Sequence, residues 1–439
     1  MSTLLNRIVG LCRPGRVKVY PWAMVVSLIC AWLVVAFILG NLPLDANGNF
    51  VGNDFAAFYT GARFWIEGNT DELYNLPKQK EFQQEISHAE FDSLVPFLNP
   101  PIALLLYAPF SLAGYIPGLL TWWAFGLTAW IVGIELLRRT GPSTAGSGQL
   151  LTIALRFFPF VAVFLYGQAT GVIFLVWAGT LALLRINRDL LAGLCLSLLA
   201  FKPQLALPLV IPLLFAGRIR ALAGGAIGLA VAATISFQLF PGETSAWFGF
   251  SSEIVDLLRG DGYPRWGLHS LWGFFVLLLD PIAGQLVNVA TSLTSLSLLG
   301  LLGFIWWREP WQPQSRSWNH CMAASVAVAL MMGMHLFLYD LALLLVPFLL
   351  IAPYHRCANP NTYLDGGSLL GWTALVWITT FSSSYFVKLQ MILLKCVGLP
   401  AVGLQVSILA VLGWSWTVYR YRQDEQQQSG PPRLQVRAA

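Results

Sequence analysis

The chain has 439 residues, of which 56% are hydrophobic and only 11% charged, with a formal net charge of +5. A soluble domain carries about 25% charged residues, so the polar complement is too small to cover a water-facing surface, and a bilayer is the expected solvent. The basic excess implies no nucleic-acid partner, because basic residues at cytoplasmic loop ends give the same balance.

The first apolar run, about residues 20 to 42, is long enough to cross a membrane and lacks a small-residue cleavage site after it. It reads as a retained helix. Arg7, Arg13, Arg16 and Lys18 precede it and put the N-terminus in the cytoplasm. Residues 43 to 93 form the longest polar interval, with nine acidic against three basic residues, and are expected outside. Within them Phe55, Phe58, Tyr59, Ala62, Phe64 and Trp65 recur at helical spacing, the pattern of a helix lying in the interface. The next piece, 97 to 115, holds Asn99-Pro100-Pro101 and Pro109. A full crossing there would leave Arg138 and Arg139 outside, so a re-entrant or interfacial piece is expected, extending the outer loop over residues 43 to 116.

Residues 117 to 137 then run in to those arginines. Residues 150 to 166 go out, 171 to 184 come in, 189 to 201 go out, 204 to 216 come in and 221 to 240 go out. An outer loop is expected over 241 to 268, with a turn cluster at Gly260-Asp261-Gly262-Tyr263-Pro264-Arg265, followed by a second re-entrant piece at 269 to 280. Residues 285 to 307 come in, 318 to 336 go out, 338 to 353 come in, 368 to 386 go out and 397 to 419 come in. The expectation is an all-α, polytopic membrane domain over residues 1 to 421, with about twelve transmembrane helices and both termini cytoplasmic. The Gln-, Pro- and Arg-rich tail, 422 to 439, is expected to be disordered. Cys12, Cys30, Cys195, Cys321, Cys357 and Cys396 are scattered singly, so neither a disulfide nor a zinc site is expected.

With this threading Asp54, Asn99, Gln168, Lys202, Arg265, His269, His335 and Asp340 all fall at outer span ends or in outer loops. Ionisable groups near membrane depth usually face a cavity or one another. Each also admits a plainer reading. Asp54 suits an N-cap as well as a base. Lys202, in Phe201-Lys202-Pro203-Gln204, suits either an anion ligand or a snorkelling side chain. His335 and Asp340 suit a structural pair across a turn, and Gln168 suits bonding within its own turn. No Gly-rich phosphate loop, H-E-x-x-H or G-x-S-x-G occurs, and no acidic cluster suits a divalent ion, so neither metal nor cofactor is expected.

Taken in order, several pieces carry a resemblance. They are Asp54-Phe55 with Tyr59, Ala62, Gly68 and Leu73-Tyr74; Asn99-Pro100-Pro101 with Pro109; Gly167-Gln168; Lys202-Pro203; His269-Ser270-Leu271; and His335 with Tyr339-Asp340 and Pro347. Together they resemble glycosyltransferase family 87, the polyprenol-phosphate-mannose-dependent transferases of the GT-C superfamily. The sequence departs from the family pattern at Asn99, where Tyr often precedes Pro-Pro, and at Thr170, where Asn is common. The resemblance implies a GT-C-type fold, a hexosyltransferase activity, a polyprenyl-phosphate sugar donor and an extracytoplasmic site in the cell membrane. It also implies an aspartate of the first outer loop as base, which is Asp54.

On that basis transfer of a sugar, mannose, to a lipid or glycan acceptor is expected, inverting and metal-independent. Asp54 is the expected base, with His335 as a second catalytic candidate. Lys202, Arg265 and His269 are expected on the donor phosphate, and Tyr59, Arg63, Asn99, Gln168, Tyr339 and Asp340 around the substrate cavity. The alternatives are a lipid or solute transporter or flippase, and a glycan ligase using a polyprenyl-diphosphate donor.

Overall fold

The computed structural model of the chain describes residues 14–90, 94–142, 146–259, 263–355 and 363–423. The expected tail after residue 423, the Gly260-Asp261-Gly262 turn, Arg7, Arg13, Cys12 and Cys357 lie outside the described residues. Among those residues the structure is helical almost throughout, and the extended pairings are two isolated bridges, Asn41 with Leu44 and Leu44 with Phe50.

Helix α1 (Pro14–Leu33) continues through a π turn to Ile38. The acid-rich interval after it is folded. Helix α2 (Asp54–Glu67) stops at Gly68, whose left-handed φ of 80° gives the usual glycine C-cap. Helix α3 (Leu76–Ser87) starts at Asn75, whose side chain accepts from the Lys78 N–H, with Pro77 in the first turn. Gln79 and Gln83 lie one turn apart on α3 and are fully buried. Gln79 accepts from the Phe97 N–H at 2.7 Å, while Gln83 donates to the Val95 carbonyl at 2.7 Å and accepts from its N–H at 3.2 Å. Two side chains thereby satisfy an extended backbone segment as a neighbouring strand would, and that segment leads directly to Asn99. The run Pro101–Ser111, containing α4 (Leu104–Tyr107), is far shorter than the about 20 residues a crossing takes.

Helix α5 (Tyr115–Thr140) is followed by α6 (Ser147–Leu155) and α7 (Phe158–Leu165), which meet at a bend of 76°. Pro159 in the first turn of α7 explains why a new helix starts there rather than the old one continuing. Next come α8 (Thr170–Arg185), α9 (Asp189–Ser197), α10 (Leu207–Phe215) and α11 (Ile219–Leu239). Helices α9 and α11 cross with their backbones in contact: a Cβ on Gly193 would lie 1.9 Å from the Ala221 carbonyl oxygen, and one on Gly224 2.1 Å from that of Leu190. Small residues at such a crossing are how membrane helices gain close packing.

The expected outer loop at 241–268 is largely helix α12 (Pro241–Arg259). Gly242, Gly249 and scattered acids hide its helical period, yet proline in the first turn starts it. It lies over the Asn99 segment, with the Trp247 indole N–H 3.1 Å from the Leu98 carbonyl oxygen. Helices α13 (Leu271–Ala283) and α14 (Val287–Arg308) are joined by a single turn. Trp272 and Val276 share a small apolar cluster with Val287, so the chain doubles back between them. Helix α15 (Arg316–Met331) is buried at every position from Trp318 to Met331, the polar Asn319, His320 and Ser325 included. Helices α16 (Leu345–His355), α17 (Tyr363–Cys396) and α18 (Val406–Arg420) complete the chain.

Among the described residues four helical runs are long and apolar enough, by length and composition, to cross a bilayer: Val19–Ile38, Tyr115–Thr140, Ile219–Leu239 and Leu271–Arg308, the last made of α13 and α14 with the fold-back between them. The bent α6–α7 pair makes a fifth if counted as one span. The count of about twelve read from the sequence also used shorter runs such as Thr170–Arg185 and Asp189–Phe201. Those are interrupted at Gly167, Lys202 and the His335 loop, and these interruptions build the site.

Candidate active site

Three interruptions and the start of α2 meet at one end of the helices. The first is the Gly167-Gln168 turn between α7 and α8. Gly167 has φ of 66°, and a Cβ there would lie 2.7 Å from both the Gly52 carbonyl oxygen and the Phe55 Cβ. Glycine is therefore required twice over, by conformation and by space. The turn is tied to its neighbours by the Asp54 N–H donating to the Tyr166 carbonyl at 2.9 Å and the Trp122 indole donating to the Gly167 carbonyl at 2.8 Å. The second is Lys202, which stands between two 3₁₀ turns after α9 with non-helical backbone, as a residue before proline prefers. The third is the loop after α15 that carries His335, Tyr339 and Asp340.

The side chains from these turns make one chain of bonds. Lys202 Nζ donates to Gln168 Oε1 at 2.6 Å, and Gln168 Nε2 donates to Asp54 Oδ2 at 2.6 Å. The Tyr339 hydroxyl also lies near enough to the Asp54 carboxylate to oppose the rise of its pKa. Gln168 is thus an amide linking a cation to a carboxylate, and its contact within its own turn, from the Ala169 N–H, is the longer one at 3.4 Å. Asp54 is the first residue of α2, with Asn53 at the cap position, and its side chain accepts from Gln168, so the capping alternative does not describe it. Burial pushes the Asp54 carboxyl above the ordinary aspartate range, opposed by the Gln168 bond, the Lys202 charge and the nearby Tyr339 hydroxyl. Asp54, Lys202 and His335 nonetheless all keep part of their surface accessible.

Around this chain the walls are aromatic. Lys202 Nζ lies 6.0 Å from the centre of the Phe58 ring, which stacks on Tyr107 at 4.2 Å. Asn99 donates to the Tyr107 hydroxyl at 3.2 Å and its backbone carbonyl accepts from Tyr74 at 2.8 Å, which puts Asn99 at the rim beside Phe58. The rings of Tyr166 and Tyr339 are 5.4 Å apart. His335 Nδ1 is 2.7 Å from the Tyr263 hydroxyl. Asp340 Oδ2 accepts from the Phe337 N–H at 3.2 Å, while its Oδ1 is buried without a partner. His335 and Asp340 therefore hold separate partners rather than each other.

Four expected site residues lie elsewhere. Arg265 is paired with Asp280 at 2.8 Å. His269 is fully buried with its ring nitrogens 2.8 Å and 3.0 Å from the Ser407 and Ser384 hydroxyls, and burial holds it neutral. Both partners come from helices distant in sequence, α17 and α18, so the two groups expected on the donor phosphate beside Lys202 already have protein partners. Arg63 is paired with Glu67 one turn along its own helix, and the charge that opposes the burial of Asp54 comes from Lys202 instead. Tyr59 is buried among Phe55, Phe82 and Tyr115. Tyr263 was read only as part of a turn, and the one signal that could have singled it out was an aromatic hydroxyl in a loop presumed to face a cavity. Among the described residues no three His, Cys, Asp or Glu side chains come together in a metal-ligand group.

The arrangement presents a carboxylate raised in basicity and an ammonium one amide away, with aromatic neighbours, in a protein with membrane-length helices. No curated protein and no solved structure matches the chain. The model of glycosyltransferase family 87 matches residues 97–338, more than half of the 439. The match includes Gln168, Lys202 and His335 and stops just short of Tyr339. On the strength of the family match the chain belongs to glycosyltransferase family 87 and is a membrane glycosyltransferase.

Proposed function

We propose that the enzyme moves mannose from a polyprenyl-phosphate donor to a lipid or glycan acceptor on the extracytoplasmic side of the cell membrane, with inversion and without a metal or cofactor. The observation that carries this reading is the bonded series Lys202–Gln168–Asp54. An inverting displacement needs a base at the attacking oxygen and a positive charge at the leaving oxygen. Asp54 takes the proton of the acceptor hydroxyl as that oxygen bonds to the anomeric carbon. The bond from the anomeric carbon to the phosphate oxygen breaks on the opposite face, and polyprenyl phosphate departs with the electron pair. Lys202 stabilises the charge gathering on that phosphate. A general base so placed contributes about 10²–10⁴-fold.

The orientation is supported by the direction of α8, which starts beside Gln168 and ends at Arg185. Arg138 and Arg139 close α5, and Arg308 closes α14. Arginines gathered at helix ends away from the recess suit the cytoplasmic side. The shorter helices α8, α9 and α15 count as further spans in this reading, bringing the total toward the twelve expected from sequence.

The test uses purified protein in lipid nanodiscs with a panel of tritiated polyprenyl-phosphate sugars. Transfer is expected with the mannose donor, to be lost in Asp54→Asn while donor binding persists. Lys202→Ala is expected to weaken donor binding. Undiminished transfer by Asp54→Asn removes Asp54 from the base role.

A further inference from the structure

His335 is held by segments distant from it in sequence. The carbonyls of its two neighbours are bonded to the chain entering α13. The His269 N–H donates to the Leu336 carbonyl at 2.7 Å, and the Ser270 hydroxyl donates to the Met334 carbonyl at 2.9 Å. Ser270 also accepts from the Gly273 N–H at 3.0 Å as the N-cap of α13, so loop and helix are fastened at one serine. The imidazole itself meets the edge of the Phe337 ring at 4.9 Å, and its Nδ1 lies 2.7 Å from the Tyr263 hydroxyl.

That last contact decides which nitrogen carries the proton. A neutral imidazole has one bare nitrogen and one N–H. A phenol is a stronger proton donor than an imidazole N–H, and a bare imidazole nitrogen is a stronger acceptor than a phenol oxygen. The bond therefore runs from the Tyr263 hydroxyl to Nδ1, which leaves the proton on Nε2. Reversed, it would strand the phenolic proton, since the Tyr263 hydroxyl has no other partner among the described residues. Burial, with the Lys202 charge behind it, keeps the ring neutral. A histidine base needs the opposite arrangement, a bare Nε2 with Nδ1–H held by a carboxylate. Here a phenol stands in that place.

His335 Nε2 has no protein partner among the described residues, and the residue keeps part of its surface accessible. What it presents is a donor that cannot accept. Lys202 is alike in this: one N–H goes to Gln168, and the others are donors only. A sugar hydroxyl would need a place for its own proton, which neither group supplies, whereas the non-bridging oxygens of a phosphate only accept. We infer that Tyr263 is a positioning residue that fixes His335 in the Nε2–H form, and that this neutral N–H joins Lys202 in donating to the phosphate of the sugar donor. The inference rests on the reading of a polyprenyl-phosphate donor and deepens it: His335 binds the leaving group and takes no proton, which leaves the base role to Asp54.

Nitrogen NMR of histidine-labelled protein in nanodiscs locates the proton, the His335 signals being those absent from His335→Gln. A bare Nδ1 and a protonated Nε2 are expected, and a protonated Nδ1 overturns the assignment. In Tyr263→Phe both forms are expected to appear, and a spectrum unchanged from wild type removes the positioning role. Function is read as binding of polyprenyl phosphate, with polyprenol as the control that lacks the phosphate. His335→Leu is expected to lose affinity for polyprenyl phosphate about tenfold or more and to bind polyprenol as wild type does. His335→Gln, whose amide can donate, is expected to recover most of that loss. Undiminished phosphate binding by His335→Leu overturns the inference, and equal losses for phosphate and polyprenol make the histidine merely structural. His335→Gln is also expected to transfer sugar, because glutamine donates a hydrogen bond but takes no proton. Loss of transfer with binding intact makes His335 the base and refutes the inference. Wild-type protein that does not bind polyprenyl phosphate removes the donor reading and the phosphate role of His335 with it, while the NMR result judges Tyr263 separately.

Discussion

Replacing Gln168 by leucine tests whether the amide joins the two charges functionally. Leucine is close to glutamine in size, so the buried position stays filled. The substitution removes two bonds of 2.6 Å, one from Lys202 and one to Asp54. Hydrogen bonds to charged groups contribute about 1.5–3 kcal/mol each. Loss of the one at Asp54 alone therefore lowers kcat/KM by about 10- to 100-fold where the wild type is fully active. The pH dependence supplies an independent readout. Burial raises the Asp54 pKa and the Gln168 bond opposes it, so without the bond the carboxyl is pushed higher still. A base must be ionised, so activity rises with pH through this pKa, and the acid limb of the kcat/KM profile is expected to move to higher pH. Donor KM is not expected to rise, because Lys202 is freed rather than lost. The assay is transfer in nanodiscs across a pH series, with Gln168→Glu as a companion expected to move the acid limb further in the same direction. A Gln168→Leu enzyme with the wild-type rate and an unmoved acid limb would refute the reasoning.

Asp54→Asn is expected to raise thermal stability at neutral pH. A carboxyl whose folded pKa is raised favours the folded state when protonated, and this contribution is lost as pH rises from the unfolded value through the folded one. The gain from Asp54→Asn should thus shrink toward acid pH, and differential scanning of both proteins over pH checks it. Gly167→Ala should destabilise by about 1–2 kcal/mol from backbone conformation alone, with the 2.7 Å approach to Phe55 adding to it and displacing α2; melting temperature and transfer should fall together. Gln83→Leu leaves the Val95 backbone groups unpaired at about 1–3 kcal/mol for each buried group, and increased hydrogen exchange at residues 95–97 is the measurement. Exhaustive treatment with EDTA should leave the rate unchanged, and inhibition reversed by magnesium or manganese would disprove the metal-free mechanism.

The sequence revealed the site's main residues more readily than it revealed their partners. Asp54, Gln168 and Lys202 stood out because a charge or amide interrupting an apolar run is conspicuous, and alternation of the runs sent them to one side. Arg265 and His269 stood out for the same reason, but the packing of α17 and α18 around His269, and the fold-back that brings Asp280 to Arg265, involve contacts distant in sequence. Helix α12 was hidden by glycines in a stretch without a clear apolar period. Gln79 and Gln83 looked like ordinary surface glutamines of a polar helix, and only the extended segment beside them shows why they are buried. Hydropathy marks apolar runs but does not say where a turn cuts one short, so the turns at Gly167 and Lys202 were not legible as the places where the site's groups meet.

The bonded series draws on positions 54, 168 and 202, and the loop carrying His335 packs beside its Gly167-Gln168 turn, so the site's parts are spread over two thirds of the chain. A ribosome making this protein releases the carboxylate first and that histidine nearly three hundred residues later. Until then the nascent chain holds Asp54, Gln168 and Lys202 without the loop that packs beside them. Truncated chains left in the bilayer therefore lack part of the assembled site.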